Sequence, residues 1–247
     1  MVGADLGRTE SFPRELLAAG TESAALSLLG ARLVRGSGPD AAAGRIVEVE
    51  AYIGQADLAS HARFGRTRRN SVMFGPPGVA YVYLVYGMHH CLNVVTEAEG
   101  TAAALLVRAV EPIAGEERMR SARLRWLAAR SGRASRDATD ATEAARRRIE
   151  ALATPRLASG PGLVCAAFWI DRSDDGRDLC DAASELRLEF AAEDEPLPVG
   201  TGPRVGIGYA PEPWLSRPWR FFVVGSPSLS AAASSSGPSG AGQGATR

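Results

Sequence analysis

The sequence predicts one α+β domain: a curved, mostly antiparallel, open-barrel-like sheet with peripheral helices. Two observations carry that expectation. Runs of branched and aromatic residues with strand character outnumber convincing helical stretches, and the helical stretches fall mainly between groups of strands. The chain has 247 residues, 45% of them hydrophobic, enough for a single sizeable core. We expect a flexible leader over 1–11, the domain over 12–230, and a disordered tail over 231–247, where Ala, Ser, Gly and Pro replace core-forming residues.

The elements follow in order. Residues 14–35 carry helical apolar spacing (Leu16, Leu17, Ala25, Leu26, Leu28, Leu29), followed by a short run at 31–35, and Gly36–Asp40 is a turn. Arg45–Gly54 reads as a strand, with Glu48, Glu50 and Tyr52 on one face and Val47, Val49 and Ala51 on the other. A basic loop over 62–70 precedes two strand-like runs, Val79–Tyr86 and Met88–Val95, broken by Gly87. Ala103–Val110 is a further strand, stopped by Pro112. Residues 114–150 are helix-prone, with Ser131–Asp140 read as an exposed break between helices. Ser159 N-caps an apolar helix running to Trp169, and short strands follow near 185–190, 203–209 and 219–225.

Composition excludes several chemistries. The chain contains no lysine, so all 28 basic residues are arginine, and neither a side-chain Schiff base nor a Walker phosphate-binding lysine is available. Three scattered cysteines, Cys91, Cys165 and Cys180, form no CxxC pair, which argues against a disulfide framework or structural zinc. His89 and His90 are adjacent and point to opposite faces of a strand, so they do not share a metal. We expect no metal and no cofactor. No run reaches the roughly 18 apolar residues of a membrane span, and the first sixteen residues lack a signal-peptide core, so a cytoplasmic protein is expected.

The chemistry-bearing residues cluster between positions 48 and 108. A carboxylate beside an aromatic on a strand face, Glu50 with Tyr52, suits a general base next to a stacking platform. Glu48 shares that face, and parity alone does not choose between the two acids. Tyr81 and Tyr83 share a face, while Tyr86 sits against Gly87 at a hairpin tip, where a ring can wedge between base pairs. Arg63, Arg66, Arg68 and Arg69 precede these tyrosines, and basic charge interleaved with aromatics is a nucleic-acid footprint. The formal net charge of zero pulls the other way. It leaves room for a non-catalytic nucleic-acid module or an enzyme acting on free nucleosides.

The run from Arg45 to Val95 resembles the alkyladenine (3-methyladenine) DNA glycosylase family. So do LLVRAVEP, SGPGLVCAA, DRSDDGRDL, PRVGIG and RPWRFFVVGSP, in the family's order over about residues 12–230. The resemblance implies a monofunctional base-excision enzyme that binds duplex DNA as a monomer, flips a damaged purine and leaves an abasic site. In a bacterium it would be associated with the nucleoid. By that resemblance Glu50 activates water and Arg108 helps hold it. Tyr52, His61, Tyr83, Asn93 and Leu106 line the base pocket, and Asn93 helps exclude normal purines. Tyr86 intercalates, Arg66, Arg69, Arg120 and Arg123 meet the DNA backbone, and Ile207 offers the water a backbone carbonyl. The chain departs from the family at His89, where relatives carry an aromatic residue, in its Ala/Arg/Thr-rich stretch over 128–156, and in lacking lysine. No residue is assigned as an acid for neutral leaving bases.

Overall fold

The computed structural model describes residues 10–85, 87–130, 136–190 and 196–230, the side chains of 130 and 136–141 excepted. Nine antiparallel strands form one sheet: β1 (Glu10–Ser11), β2 (Arg32–Arg35), β3 (Ala42–Ile53), β4 (Ala80–Val85), β5 (His89–Val95), β6 (Ala103–Ala114), β7 (Leu186–Phe190), β8 (Val199–Gly202) and β9 (Arg220–Val223). The order is β1-β7-β2-β3-β6-β5-β4. Helices α1 (Arg14–Ala18), α2 (Thr21–Leu28), α3 (Glu116–Arg130), α4 (Arg136–Glu150) and α5 (Pro161–Ala167) lie around it. This is the curled, half-barrel α+β arrangement expected from the strand-rich pattern.

Strand β3 organises the sheet. Its first half pairs with β2 and its second half with β9 along the same edge, while β6 runs along the other edge for its whole length. Register shifts near Ala43, Ile46 and Glu48 bend β3 where it changes partner from β2 to β9. Val47, Val49 and Ala51 enter the main core, which holds α2, α5, Leu105 and Val107, with Leu92 and Val94 of β5. The other face carries the acids and Tyr52, as parity requires.

Several sequence expectations change. The helical pattern over 14–35 is two short helices interrupted at Gly20 (φ 105°), and its last residues are β2. β6 does not stop at Pro112: Pro112 stands opposite Gly44 at a bulge, where its missing N–H is tolerated. Residues 136–140, expected in an exposed break, already belong to α4, while 131–135 lie outside the described residues. Ser159 does not cap α5, because its hydroxyl donates to the Leu229 carbonyl and Gly160 holds the cap position. The strand expected over 203–209 does not form: that segment is irregular chain, and β8 ends just before it. The expected leader and tail, apart from Glu10 and Ser11 of β1, lie outside the described residues.

The β3–β6 pairing depends on a close approach at Gly44. A Cβ there would meet Val110 Cγ1 at 2.5 Å and the Glu111 carbonyl at 2.8 Å. Gly44→Val should therefore cost about 1–3 kcal/mol of stability, the usual toll of overpacking, read as a lower midpoint of thermal unfolding. An unchanged midpoint would mean that the strands separate freely here.

Candidate active site

Register places the candidate residues in a line across five strands. Arg220 of β9 faces Glu50 of β3, Glu50 faces Leu106 of β6, Leu106 faces Asn93 of β5, and Asn93 faces Tyr81 of β4. Cross-strand partners share a face, so all five side chains project from the same side of the sheet. Tyr52 lies two positions on from Glu50 and Tyr83 two on from Tyr81, extending that face by one row.

At one end of the line two carboxylates share a single guanidinium. Glu48 and Glu50 are 1% and 0% exposed, and Arg108 is 6% exposed. Arg108 Nε donates to Glu48 Oε1 at 2.9 Å, and its Nη1 lies 3.1 Å from Glu50 Oε1. Burial by itself would depress the Arg108 pKa, but Glu50 and Glu48 outweigh it and hold the cation above its ordinary value. Arg220 Nη1, 3.7 Å from Glu48, brings a second positive charge to the pair of acids.

The two acids then part company. Glu48 accepts the Ser230 N–H at 2.7 Å and the Ser230 hydroxyl at 2.9 Å, which ties it to the C-terminal segment. Glu50 accepts the Val205 N–H at 2.6 Å on Oε1 and the Tyr52 hydroxyl at 3.0 Å on Oε2. A carboxylate offers about four acceptor positions, and among the described residues hydrogen bonds fill one on each oxygen of Glu50, while Arg108 adds an ion pair to Oε1. Oε2, the oxygen that Tyr52 contacts, keeps a second acceptor position clear of Arg108. Burial raises the Glu50 pKa above the ordinary carboxylate value, against the lowering pull of Arg108, Val205 and Tyr52. A carboxylate so raised is a better proton acceptor near neutral pH.

Tyr52 also lines a cavity of about 50 Å³, together with His61, Tyr81, Tyr83, Asn93 and Tyr209. Its space suits a few water molecules. The rings explain why: His61 packs edge-on to Tyr83 with centroids 4.5 Å apart, and Tyr81 lies 5.3 Å from Tyr83. His61 Nδ1 is 3.0 Å from the Tyr81 hydroxyl. Burial, aided by Arg69 and Arg63, lowers the His61 pKa to about 4, so the ring is neutral at physiological pH. Asn93 donates to the Tyr81 carbonyl at 3.0 Å, which fixes its amide across β4 and β5. Leu106 lies in the row between Glu50 and Asn93.

A wider cleft of about 370 Å³ adjoins this cavity and shares His61 and Tyr209 with it. Arg63 and Arg69 line it, and Arg66, Arg68 and Arg69 are exposed. Asn70 staples the basic loop, accepting from Thr67 and donating to the carbonyls of His61 and Gly65. Arg69 also donates to the Leu84 carbonyl, which ties the loop to β4. Tyr86 lies outside the described residues; beside it Gly87 has φ 65°, and the Met88 N–H donates to the Val85 carbonyl.

Sequence reasoning grouped Glu50, Arg108, Tyr52, His61, Tyr83 and Asn93, and the structure brings these six together. It gives Arg120 and Arg123 a different employment. Arg120 donates to Glu116 and to the carbonyls of Ile149, Glu150 and Leu152, holding the end of α4, and Arg123 donates to the carbonyls of Arg156 and Leu157. Arg120 thus spends all three of its nitrogens on the fold, and Arg123 its Nη1. The Ile207 carbonyl accepts the Ala210 N–H, and it is Val205 in that loop that reaches Glu50. The sequence reading also missed Tyr209, Arg204, Asp57 and Ser230, each of which has a partner between 147 and 182 positions away. Among the described residues, no group of three His, Cys, Asp or Glu is placed to hold a metal ion, and no helix is long and apolar enough to cross a membrane.

Comparison with known proteins points one way. Residues 15–227 match the family described as methylpurine-DNA glycosylase (MPG). A protein of Methanocella arvoryzae named "Putative 3-methyladenine DNA glycosylase" is 45% identical over 221 residues, which is 89% of this chain and 95% of that protein. Proteins of the same name from Anaeromyxobacter dehalogenans and Nocardia farcinica are each 43% identical, over 219 and 217 residues. These alignments cover 87% and 85% of this chain and 84% and 85% of those proteins.

The half-buried, neutral His61 has a measurable signature. Its folded pKa lies below the unfolded value, so the unfolded chain takes up the proton first as pH falls. The stability it contributes is present above about pH 6.5 and lost as the pH drops towards about 4. His61→Gln should flatten the fall of the thermal midpoint across that window. A variant that tracks the wild type at every pH would place the His61 proton equilibrium elsewhere.

Proposed function

The chain belongs to the methylpurine-DNA glycosylase family and is a DNA N-glycosylase, and on that premise we propose that it releases alkylated or otherwise damaged purines by simple hydrolysis, with Glu50 as the base. The observation that carries the reading is the position of Glu50: fully buried, held by Arg108 and Val205, and joined through Tyr52 to the aromatic cavity.

The reaction follows from that geometry. A water molecule at the open position of Glu50 Oε2 attacks the sugar carbon C1′ and gives its proton to the carboxylate. The electrons of the glycosidic bond leave with the purine nitrogen. Alkylation makes the purine cationic, so the base departs neutral and needs no acid. The negative charge on Glu50 also stabilises the sugar cation that develops as the bond breaks. Arg108 orients the carboxylate and favours its ionised form against the opposing effect of burial.

The base has to enter a cavity that holds only a few waters, so His61 and Tyr83 must part around it. Electron-rich ring faces of Tyr52 and Tyr83 attract a cationic purine, and a neutral His61 adds no repelling charge. Asn93, fixed across two strands, screens the exocyclic groups of normal purines. The exposed Arg66 and Arg69 meet the phosphates. Tyr86 fills the gap left in the duplex, which offsets an unstacking cost of about a few kcal/mol. With no lysine in the chain, no lysine Schiff base forms, and the product is an intact strand with an abasic site.

Glu50→Gln should retain binding to a duplex carrying 7-methylguanine and lose base release by about a hundredfold or more, as expected for a positioned base. Near-normal turnover would remove Glu50 from its role. Tyr86→Ser should weaken excision from a matched duplex more than binding to an abasic-site duplex. Equal losses on both would count against a wedge.

A further inference from the structure

The loop over 203–210 supplies one of the hydrogen bonds to Glu50, and a buried ion pair holds that loop in place. Arg204 and Asp57 have fully buried side chains and pair twice, Nη1 to Oδ2 at 2.6 Å and Nη2 to Oδ1 at 2.9 Å. Arg204 also donates to the Ala51 carbonyl at 2.9 Å, on the strand between Glu50 and Tyr52. Its guanidinium carbon lies 4.7 Å from the centre of the Tyr52 ring and 5.1 Å from that of Trp219. Asp57 in turn accepts from the Ile53 and Ala59 N–H groups, which anchors the turn after β3.

We propose that the Arg204–Asp57 pair is a positioning clamp for Glu50, fixing the two neutral groups, the Tyr52 hydroxyl and the Val205 N–H, that hydrogen-bond its carboxylate. Arg204 presses on the ring of Tyr52 and is bonded in sequence to Val205, so one guanidinium sets both donors. This rests on the reading of Glu50 as the water-activating base. Arg204 itself touches no reacting atom and acts only through its neighbours. Arginine suits the task because a planar fork can pair with a carboxylate while its faces stack on aromatic rings; a lysine offers only a point charge.

The clamp has a signature that a merely structural pair would lack. Both donors favour the ionised form of Glu50, so loosening them moves its titration upwards. The other groups around Glu50 stay in place: Glu48 on β3, Arg108 on β6, Tyr83 on β4, Cys91 on β5 and Arg220 on β9.

The test is single-turnover base release from duplexes carrying one 7-methylguanine or one hypoxanthine, followed from about pH 5 to about pH 9 to bracket a carboxylate base. Arg204→Lys keeps the charge. The double variant Asp57→Asn with Arg204→Gln removes both charges, so that no buried ion is left alone. Both should lose about tenfold to a hundredfold in the chemical step, the scale of one charge-assisted hydrogen bond, with binding to an abasic-site duplex changed by less than about threefold. The acid limb of the rate profile should move towards neutral pH. An active wild type with an unmoved limb in both variants overturns the clamp alone, as does a rate loss that matches the loss of folded protein by circular dichroism. A wild type that releases no base overturns the reading of Glu50 and the clamp with it.

Discussion

Two carboxylates buried side by side on one strand face form a centre that would not survive without Arg108. Removing a charge from water costs several kcal/mol unless a partner repays it, and Glu48 and Glu50 are both sealed from solvent. Arg108 reaches both, Arg220 stands beside Glu48, and backbone N–H groups from Val205 and Ser230 complete the set. Formal charge is balanced, two acids against two arginines. The bends in β3, its full-length pairing with β6 and its partial pairing with β9 bring these groups into register. Much of the fold is thus a frame for one neutralised cluster.

The division of labour between the acids follows from their other partners. Glu48 is tied to Ser230 and fixes Arg108. Glu50 receives the same cation from another nitrogen and bonds Tyr52, whose ring faces the cavity. Parity left these acids tied, because two residues two apart on a strand look alike in sequence. What separates them is which distant segment arrives, and that is set by tertiary packing.

The same distinction explains what else was legible. Strands β3 to β6 could be read from their alternating and branched residues, and Tyr52, Tyr81 and Tyr83 fell on the expected strands. Pro112 misled because a bulge opposite Gly44 makes its missing donor harmless, which a single strand read alone does not reveal. Ser159 resembled a cap but found a carbonyl 70 positions away. Arg120 and Arg123 looked like phosphate ligands because surface arginine and carbonyl-capping arginine share a composition. Their partners at Ile149, Leu152 and Leu157 become visible only when α3 and the segment after α4 are packed together. Arg204 and Asp57 were silent for the same reason, being 147 residues apart.

The bond between Ser230 and Glu48 spans 182 positions and joins one of the first strands of the sheet to the final described residue. During synthesis β3 emerges from the ribosome with both acids long before either the Val205 or the Ser230 donor exists. Of the four charged groups in the cluster, Arg220 too comes from the C-terminal part of the chain. The balanced setting of the two acids therefore draws on groups from almost the whole length of the domain.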